Sequence, residues 1–325
     1  MGKQNDAFTA YLGRAEVLAD LYNGCLYQGE EVVQAGNLCE VQQFYQQRLS
    51  ERVKRPTARR RERDAIRAFW NEKSYVLLAA EAQNQPHLTM PFRCMEYDLA
   101  EYARQLRYIR LKSEGKLKTG VEYLSKMGRK DHLTPIVTIV LYHGMEPWDA
   151  PKKLSEMMEL EEIDPILKQM VQEYQIYVFS LEELQEEYFQ TNLRELIGLM
   201  KRRSSKTKYC RKHADRISRM DVATYDMICV MLNLKELQDK KEKYLKNGKG
   251  SIDMCKAMEE WAEELREEGK SAGIKEGELR GMQKAKESML KLVAKMSENG
   301  DTEYIARLLE PEVFEQMAAK YGMKA

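Results

Sequence analysis

Three side chains within twenty residues have the types and spacing for phosphodiester chemistry. Asp64 sits in Arg61-Glu62-Arg63-Asp64-Ala65-Ile66-Arg67, directly after a block of arginines, while Glu81 and Gln83 close the run Tyr75-Val76-Leu77-Leu78-Ala79-Ala80. That run is apolar enough to be a buried strand. Residues two apart on a strand point to one face, so Glu81 and Gln83 look the same way. If a turn returns Asp64 beside that face, two carboxylates and an amide converge. Carboxylates held close together repel, and a divalent cation relieves the repulsion. The arrangement is that of a metal-dependent phosphodiesterase, although acid-to-acid gaps of this size are also common in chains without such a site.

Other chemistries find less support. The four histidines, His87, His132, His143 and His213, stand in no recognisable Ser or Cys setting for a nucleophilic triad. There is no phosphate loop of the P-loop type and no dinucleotide fingerprint. His143 follows an apolar strand, where a structural role is the simpler reading. The six cysteines are scattered without CxxC spacing, which suggests neither a zinc site nor a disulfide framework, and they read as thiols of a reducing compartment.

The elements that must position the trio can be read around it. Tyr75 to Gln83 and Thr134 to Tyr142 are strands, the second β-branched and almost continuously apolar, as a strand covered on both faces should be. Gln175 to Phe179 is a third, and Glu31-Val32-Val33 and Leu38 to Val41 are short strands or loop. Phe8, Tyr11, Leu12, Ala15, Leu18, Ala19, Tyr22 and Leu26 recur at helical spacing and predict one helix over Asp6 to Tyr27, with Glu16 and Asp20 near its core-facing edge. A helix from Pro91 to about Leu111 is expected to present Phe92, Met95, Leu99, Tyr102 and Leu106 as one face. Strands separated by helices argue for an α/β fold with a mixed central sheet. After about residue 185 strand signals vanish, and helices are expected over Leu193 to Arg203 and Asp221 to Leu237. From Ser251 the chain reads as a long charged helix carrying Gly269, Gly273, Gly277 and Gly281, followed by a terminal helical cap from Tyr304 to Met317. Four residues turn a helix by roughly 400°, so the glycines form a slowly drifting stripe.

With 325 residues, 43% hydrophobic and 32% charged, the chain is long enough for more than one small core. The net charge of +1 hides uneven mixing. Residues 48–63 and 201–219 are basic, and 156–195 are acidic, which can set a basic groove beside an acidic wall. The basic runs are either solvated or hold phosphate. No segment approaches the ~20 apolar residues of a membrane span, and the N-terminus lacks a signal-peptide layout; a cytoplasmic protein without membrane contact is expected.

Several blocks resemble a known family. They are Ala19-Asp20-Leu21-Tyr22-Asn23-Gly24 with Leu26-Tyr27-Gln28-Gly29, then Arg61-Glu62-Arg63-Asp64, Glu81-Ala82-Gln83, Met90-Pro91-Phe92-Arg93, and Tyr97-Asp98 with Tyr102-Ala103-Arg104-Gln105. Pro135-Ile136-Val137 to Val140-Leu141-Tyr142-His143-Gly144, with Trp148-Asp149 and Pro151, is the most recognisable. In this order over most of residues 15–200 they resemble the recombination-promoting nuclease/putative transposase group (YhgA-like) of the PD-(D/E)XK nuclease superfamily. The glycine-every-four helix is also usual there.

The resemblance implies a restriction-endonuclease-like core, a mixed sheet flanked by helices, with an all-helical C-terminal extension. Residues 1–200 would form the nuclease-like transposase domain, 201–250 a basic helical region and 251–325 a charged glycine-repeat tail. It implies that Asp64, Glu81 and the carbonyl of Ala82 bind Mg²⁺ (or Mn²⁺), with Asp20 or Glu16 as an additional acidic contact. Gln83 takes the place that lysine has in the wider superfamily; an amide orients water but adds no positive charge, and Arg93 is the candidate to supply it. Arg59, Arg60, Arg61, Arg63, Lys201, Arg202, Arg203, Arg211 and Lys212 would hold the DNA backbone. The expected protein is a metal-dependent DNA endonuclease that forms a homo-oligomer through its C-terminal helical region. The alternative is a catalytically degenerate DNA-binding or scaffold protein on the same fold.

Overall fold

A computed structural model describes residues 3–41, 64–246 and 250–322. The basic stretch 52–63, with Arg59, Arg60, Arg61 and Arg63, lies outside the described residues. A five-stranded sheet in the order β1-β2-β3-β4-β5 forms the centre. Its strands are β1 (Leu38–Glu40), β2 (Ala65–Trp70), β3 (Tyr75–Gln83), β4 (Ile136–Tyr142) and β5 (Tyr177–Ser180). The β1–β2 and β2–β3 pairs are antiparallel, and β3–β4 and β4–β5 are parallel. The sheet is mixed and flanked by helices, as the alternation of elements predicts.

The hairpin between β2 and β3 was not expected beyond a turn. Asn71 makes it: its Oδ1 accepts from the backbone N–H of Ser74 at 2.9 Å, and Glu72 takes the left-handed conformation at φ 69°. Parallel β3 and β4 need a crossover, and α3 (Met90–Ser113) provides it, with Pro91 in its first turn.

The buried face of α3 is not the apolar one expected. Phe92 and Leu99 are exposed, and Cys94, Tyr97, Asp98, Glu101 and Gln105 face inward. The reason is backbone satisfaction next to the sheet. Gln105 donates to the carbonyl of Thr134 (3.0 Å) and accepts from its N–H (2.6 Å), fixing the chain just before β4, while Asp98 accepts from the Tyr174 hydroxyl at 2.6 Å.

The N-terminal helix is two helices, α1 (Lys3–Leu12) and α2 (Ala15–Leu26), because the chain turns at Gly13-Arg14. The freed Gly13 carbonyl accepts from Arg67 Nε of β2 at 2.7 Å. Residues 31–33 are not a strand; the Asn23 side chain ties down the backbone of Val33 at both its N–H and its carbonyl. Gly24 is required by packing, since a Cβ there would lie 2.3 Å from the Phe189 ring.

Beyond residue 185 strands do continue, as three two-residue pieces: Met220–Asp221, Leu245–Lys246 and Ser251–Ile252. The expected helix 221–237 breaks at Asn233 (φ 55°) into Val222–Met231 and Lys235–Asp239. Contacts divide the chain into two compact units, Met1–Met258 and Glu259–Ala325. The basic region 201–250 is therefore part of the first unit, tied to it by Arg14–Asp221 at 2.6 Å and Tyr11–Thr224 at 3.0 Å. In the second unit, Pro311–Lys320 folds back on the long helix, and Leu292, Met296, Leu308, Val313 and Met317 form a small core. No helix among the described residues is long and apolar enough to cross a membrane.

Candidate functional site

Asp64 reaches Glu81 through the hairpin. Ala65 pairs with Ala80, so one step further along the antiparallel register Asp64 stands opposite Glu81, with both side chains on one face. Asp64 is buried, and its Oδ2 accepts from the Ala82 N–H at 2.8 Å, which locks the carboxylate onto the end of β3. Glu81 is 0% exposed. A carboxylate so deep needs a counter-charge, and Arg93 from the first turns of α3 supplies one, with Nη2 3.2 Å from Glu81 Oε2.

Arg93 is itself held by Tyr97, one turn on: Nε donates to the Tyr97 hydroxyl at 3.0 Å, and the guanidinium lies 5.6 Å from the ring centroid. Burial works against the Arg93 charge, but the Tyr97 hydrogen bond and the Glu81 and Asp64 carboxylates outweigh it and raise its pKa. Tyr97 was missed as a site residue from the sequence. Its signal is the spacing of four that puts an aromatic hydroxyl on the same helix face as the arginine.

Gln83 completes the face. It is 9% exposed, and among the described residues its side-chain amide has no hydrogen-bond partner. Its backbone carbonyl accepts from the His143 N–H at 2.9 Å, which aligns the ends of β3 and β4. His143 stacks on Phe8 at 4.6 Å, and burial, followed by the charge of Arg203, pushes its pKa down to about 4. It is a neutral packing group at neutral pH. Gly144, next in the chain, must be glycine, because a Cβ would lie 2.2 Å from the Tyr142 hydroxyl and 2.6 Å from the Asn84 carbonyl.

The other acids are engaged elsewhere. Both Asp20 oxygens accept hydrogen bonds at the start of the Leu193–Lys201 helix, from the N–H groups of Gln190 and Thr191 at 2.8 Å each and from the Thr191 hydroxyl at 2.6 Å. Glu16 is exposed and binds Arg14 Nε at 2.9 Å. Neither has a described bond to Asp64 or Glu81.

The expected phosphate contacts separate into different situations. Lys201 donates to the Leu184 carbonyl at 2.9 Å. Arg202 pairs with Glu186 and lies over the Tyr209 ring. Arg211 and Lys212 are exposed. Arg203 is bound by two backbone carbonyls, those of Met200 (3.3 Å) and His143 (3.0 Å). The acidic segment before residue 196 thus neutralises part of the basic one directly.

Among the described residues no group of three or more His, Cys, Asp or Glu side chains gathers as a metal cluster. The donors at the corner are two carboxylates and the Ala82 carbonyl, which leaves β3 on the same edge as the N–H given to Asp64. These hard oxygen donors fit Mg²⁺, which keeps several waters and takes one or two carboxylates. The unpartnered Gln83 amide beside them suits such a water.

Residues 66–222 match the model of a family described as "Putative transposase, YhgA-like". Comparison with curated proteins and with solved structures gives no match.

Proposed function

Through residues 66–222 the chain belongs to the YhgA-like putative transposase family, and from that premise we propose that the Asp64–Glu81–Gln83 corner is the hydrolytic centre of a metal-dependent DNA endonuclease of PD-(D/E)XK type. The observation that carries this reading is the placement of two buried carboxylates, Asp64 and Glu81, at facing positions of the β2–β3 pair, with the Gln83 side chain on the same strand face as Glu81.

Asp64, Glu81 and the Ala82 carbonyl would hold Mg²⁺ or Mn²⁺, which when bound polarises a phosphate and lowers the pKa of a water. Asp64 is pre-oriented by the Ala82 N–H, so it enters in one rotamer. Gln83 orients a water by donating or accepting a hydrogen bond, without adding charge. Arg93 supplies the positive charge that lysine brings elsewhere in the superfamily, and Tyr97 limits where its guanidinium can go. DNA is the proposed partner, and self-association through residues 251–325 is proposed with it.

The test is Asp64→Asn, which keeps an acceptor for the Ala82 N–H. Mg²⁺-dependent nicking of plasmid DNA should fall at least a hundredfold with the melting temperature nearly unchanged. A second reading, DNA binding without cleavage, draws on the Arg93–Glu81 ion pair, which already neutralises Glu81. It predicts salt-dependent DNA binding with no nicking by the wild-type chain under any divalent metal.

A further inference from the structure

Beyond the carboxylates, a cleft of about 220 Å³ opens at the carboxyl ends of β3 and β4. Asn84, the residue after β3, and His143 and Met145, which follow β4, line it together with Met200, Arg203 and Met231. Ligands of open α/β sheets bind outside these strand ends. The volume is below the ~300–1,000 Å³ of drug-sized pockets, so the cleft takes a small unit rather than a dinucleotide. Its walls pair three polarisable methionine side chains with one cation.

That cation is unusual in its setting. Arg202 pairs with Glu186, Arg216 with Glu195 at 2.9 Å and Arg14 with Asp221. Among the described residues no carboxylate lies in ion-pair range of Arg203. Its two described bonds go to the carbonyls of Met200 and His143, which fix the guanidinium without neutralising it. Arg carries five N–H donors in a rigid fork, and these bonds use only Nε and one N–H of Nη2. A fixed, uncompensated guanidinium matches phosphate, which it can bind in bidentate fashion. The neutral state of His143 leaves Arg203 as the cleft's single cation.

We propose that this cleft is a nucleotide subsite of the DNA strand, with Arg203 on a phosphate and the Met145, Met200 and Met231 side chains against the attached base. It rests on the reading of the Asp64–Glu81 corner as the cutting centre. Asn84 follows the end of β3, three residues beyond Glu81 and at most about 10 Å from it along the chain, so one strand of DNA crossing the sheet end reaches both. The occupant is a single-stranded or unstacked nucleotide, because a base in a duplex cannot present its face to the methionines.

The experiment measures binding of the full chain to a fluorescent single-stranded oligonucleotide by anisotropy, in EDTA, across a salt series. Arg203→Met should weaken binding on the order of tenfold and make the slope of log K against log salt shallower by about 0.7, one phosphate contact on a single strand. Arg203→Lys should restore the slope with only part of the affinity. Met145→Ser, at an exposed position that the fold does not depend on, should weaken binding a few-fold for the intact oligonucleotide and not for an abasic one. Wild-type affinity and slope in Arg203→Met, or equal loss on intact and abasic strands in Met145→Ser, would overturn the proposal. Glu81→Gln in parallel separates the two claims. If it still cuts while Arg203→Met binds weakly, the cutting centre is wrong and the subsite stands; if it cannot cut while Arg203→Met binds normally, the reverse holds.

Discussion

At the scale of single residues, Asp64 and Glu81 are cross-strand neighbours; the Ala82 N–H binds Asp64, and the Arg93 guanidinium binds Glu81. Gln83 has no such contact among the described residues. Replacing Gln83 by Leu, of similar volume, removes the amide and should lower the nicking rate while leaving unfolding stability within about 1 kcal/mol of the wild type. Chemical denaturation alongside a cleavage assay checks both. A Gln83→Leu chain that nicks at the wild-type rate would mean that the amide takes no part in the reaction.

At the scale of elements, β3 and β4 were legible because their composition allows nothing else: an apolar, β-branched run bounded by polar residues. Glu81 and Gln83 were legible with them, since parity on a strand fixes that they share a face, whereas Asp64 comes opposite Glu81 only through the pairing of β2. β2 was not, because Ala65 to Trp70 contains Arg67 and only six residues, and its strand state follows from pairing with β3 rather than from its own pattern. The face of α3 was misread for a related reason. Apolar periodicity picks Phe92 and Leu99, but the helix is turned by the bonds that Asp98 and Gln105 make to Tyr174 and to the Thr134 backbone. Arg93 points at Glu81 in consequence. Spacing did identify the C-terminal helix, whose four glycines each face open space. Gly269→Ala and Gly277→Ala should each add roughly 0.5–1 kcal/mol of helix stability, measured as ellipticity at 222 nm on heating. A simultaneous fall in apparent mass on sizing would show that a second chain packs on the stripe.

At the scale of the whole molecule, the first unit joins its N-terminal helices, the sheet and the 201–250 region around the strand ends where the carboxylates lie. His143 links these parts, with its ring on Phe8, its N–H on Gln83 and its carbonyl on Arg203. Its pKa is lowered from 6.5 to about 4 by burial and then by Arg203. Between those values the unfolded chain binds the proton and the folded chain does not, so stability rises with pH across the window. The contribution is complete above about pH 6.5 and is lost progressively toward pH 4. His143→Phe keeps both backbone bonds and the stacking, and should flatten this limb of the stability–pH curve measured by urea unfolding. The central claim, that Glu81 belongs to a metal-dependent cutting centre, is tested most directly by a time course of plasmid nicking with Mg²⁺ for the wild-type chain and Glu81→Gln purified side by side. Nicking by the wild type that EDTA stops is expected, and none by Glu81→Gln although it still binds DNA. Equal nicking by the two would contradict the claim.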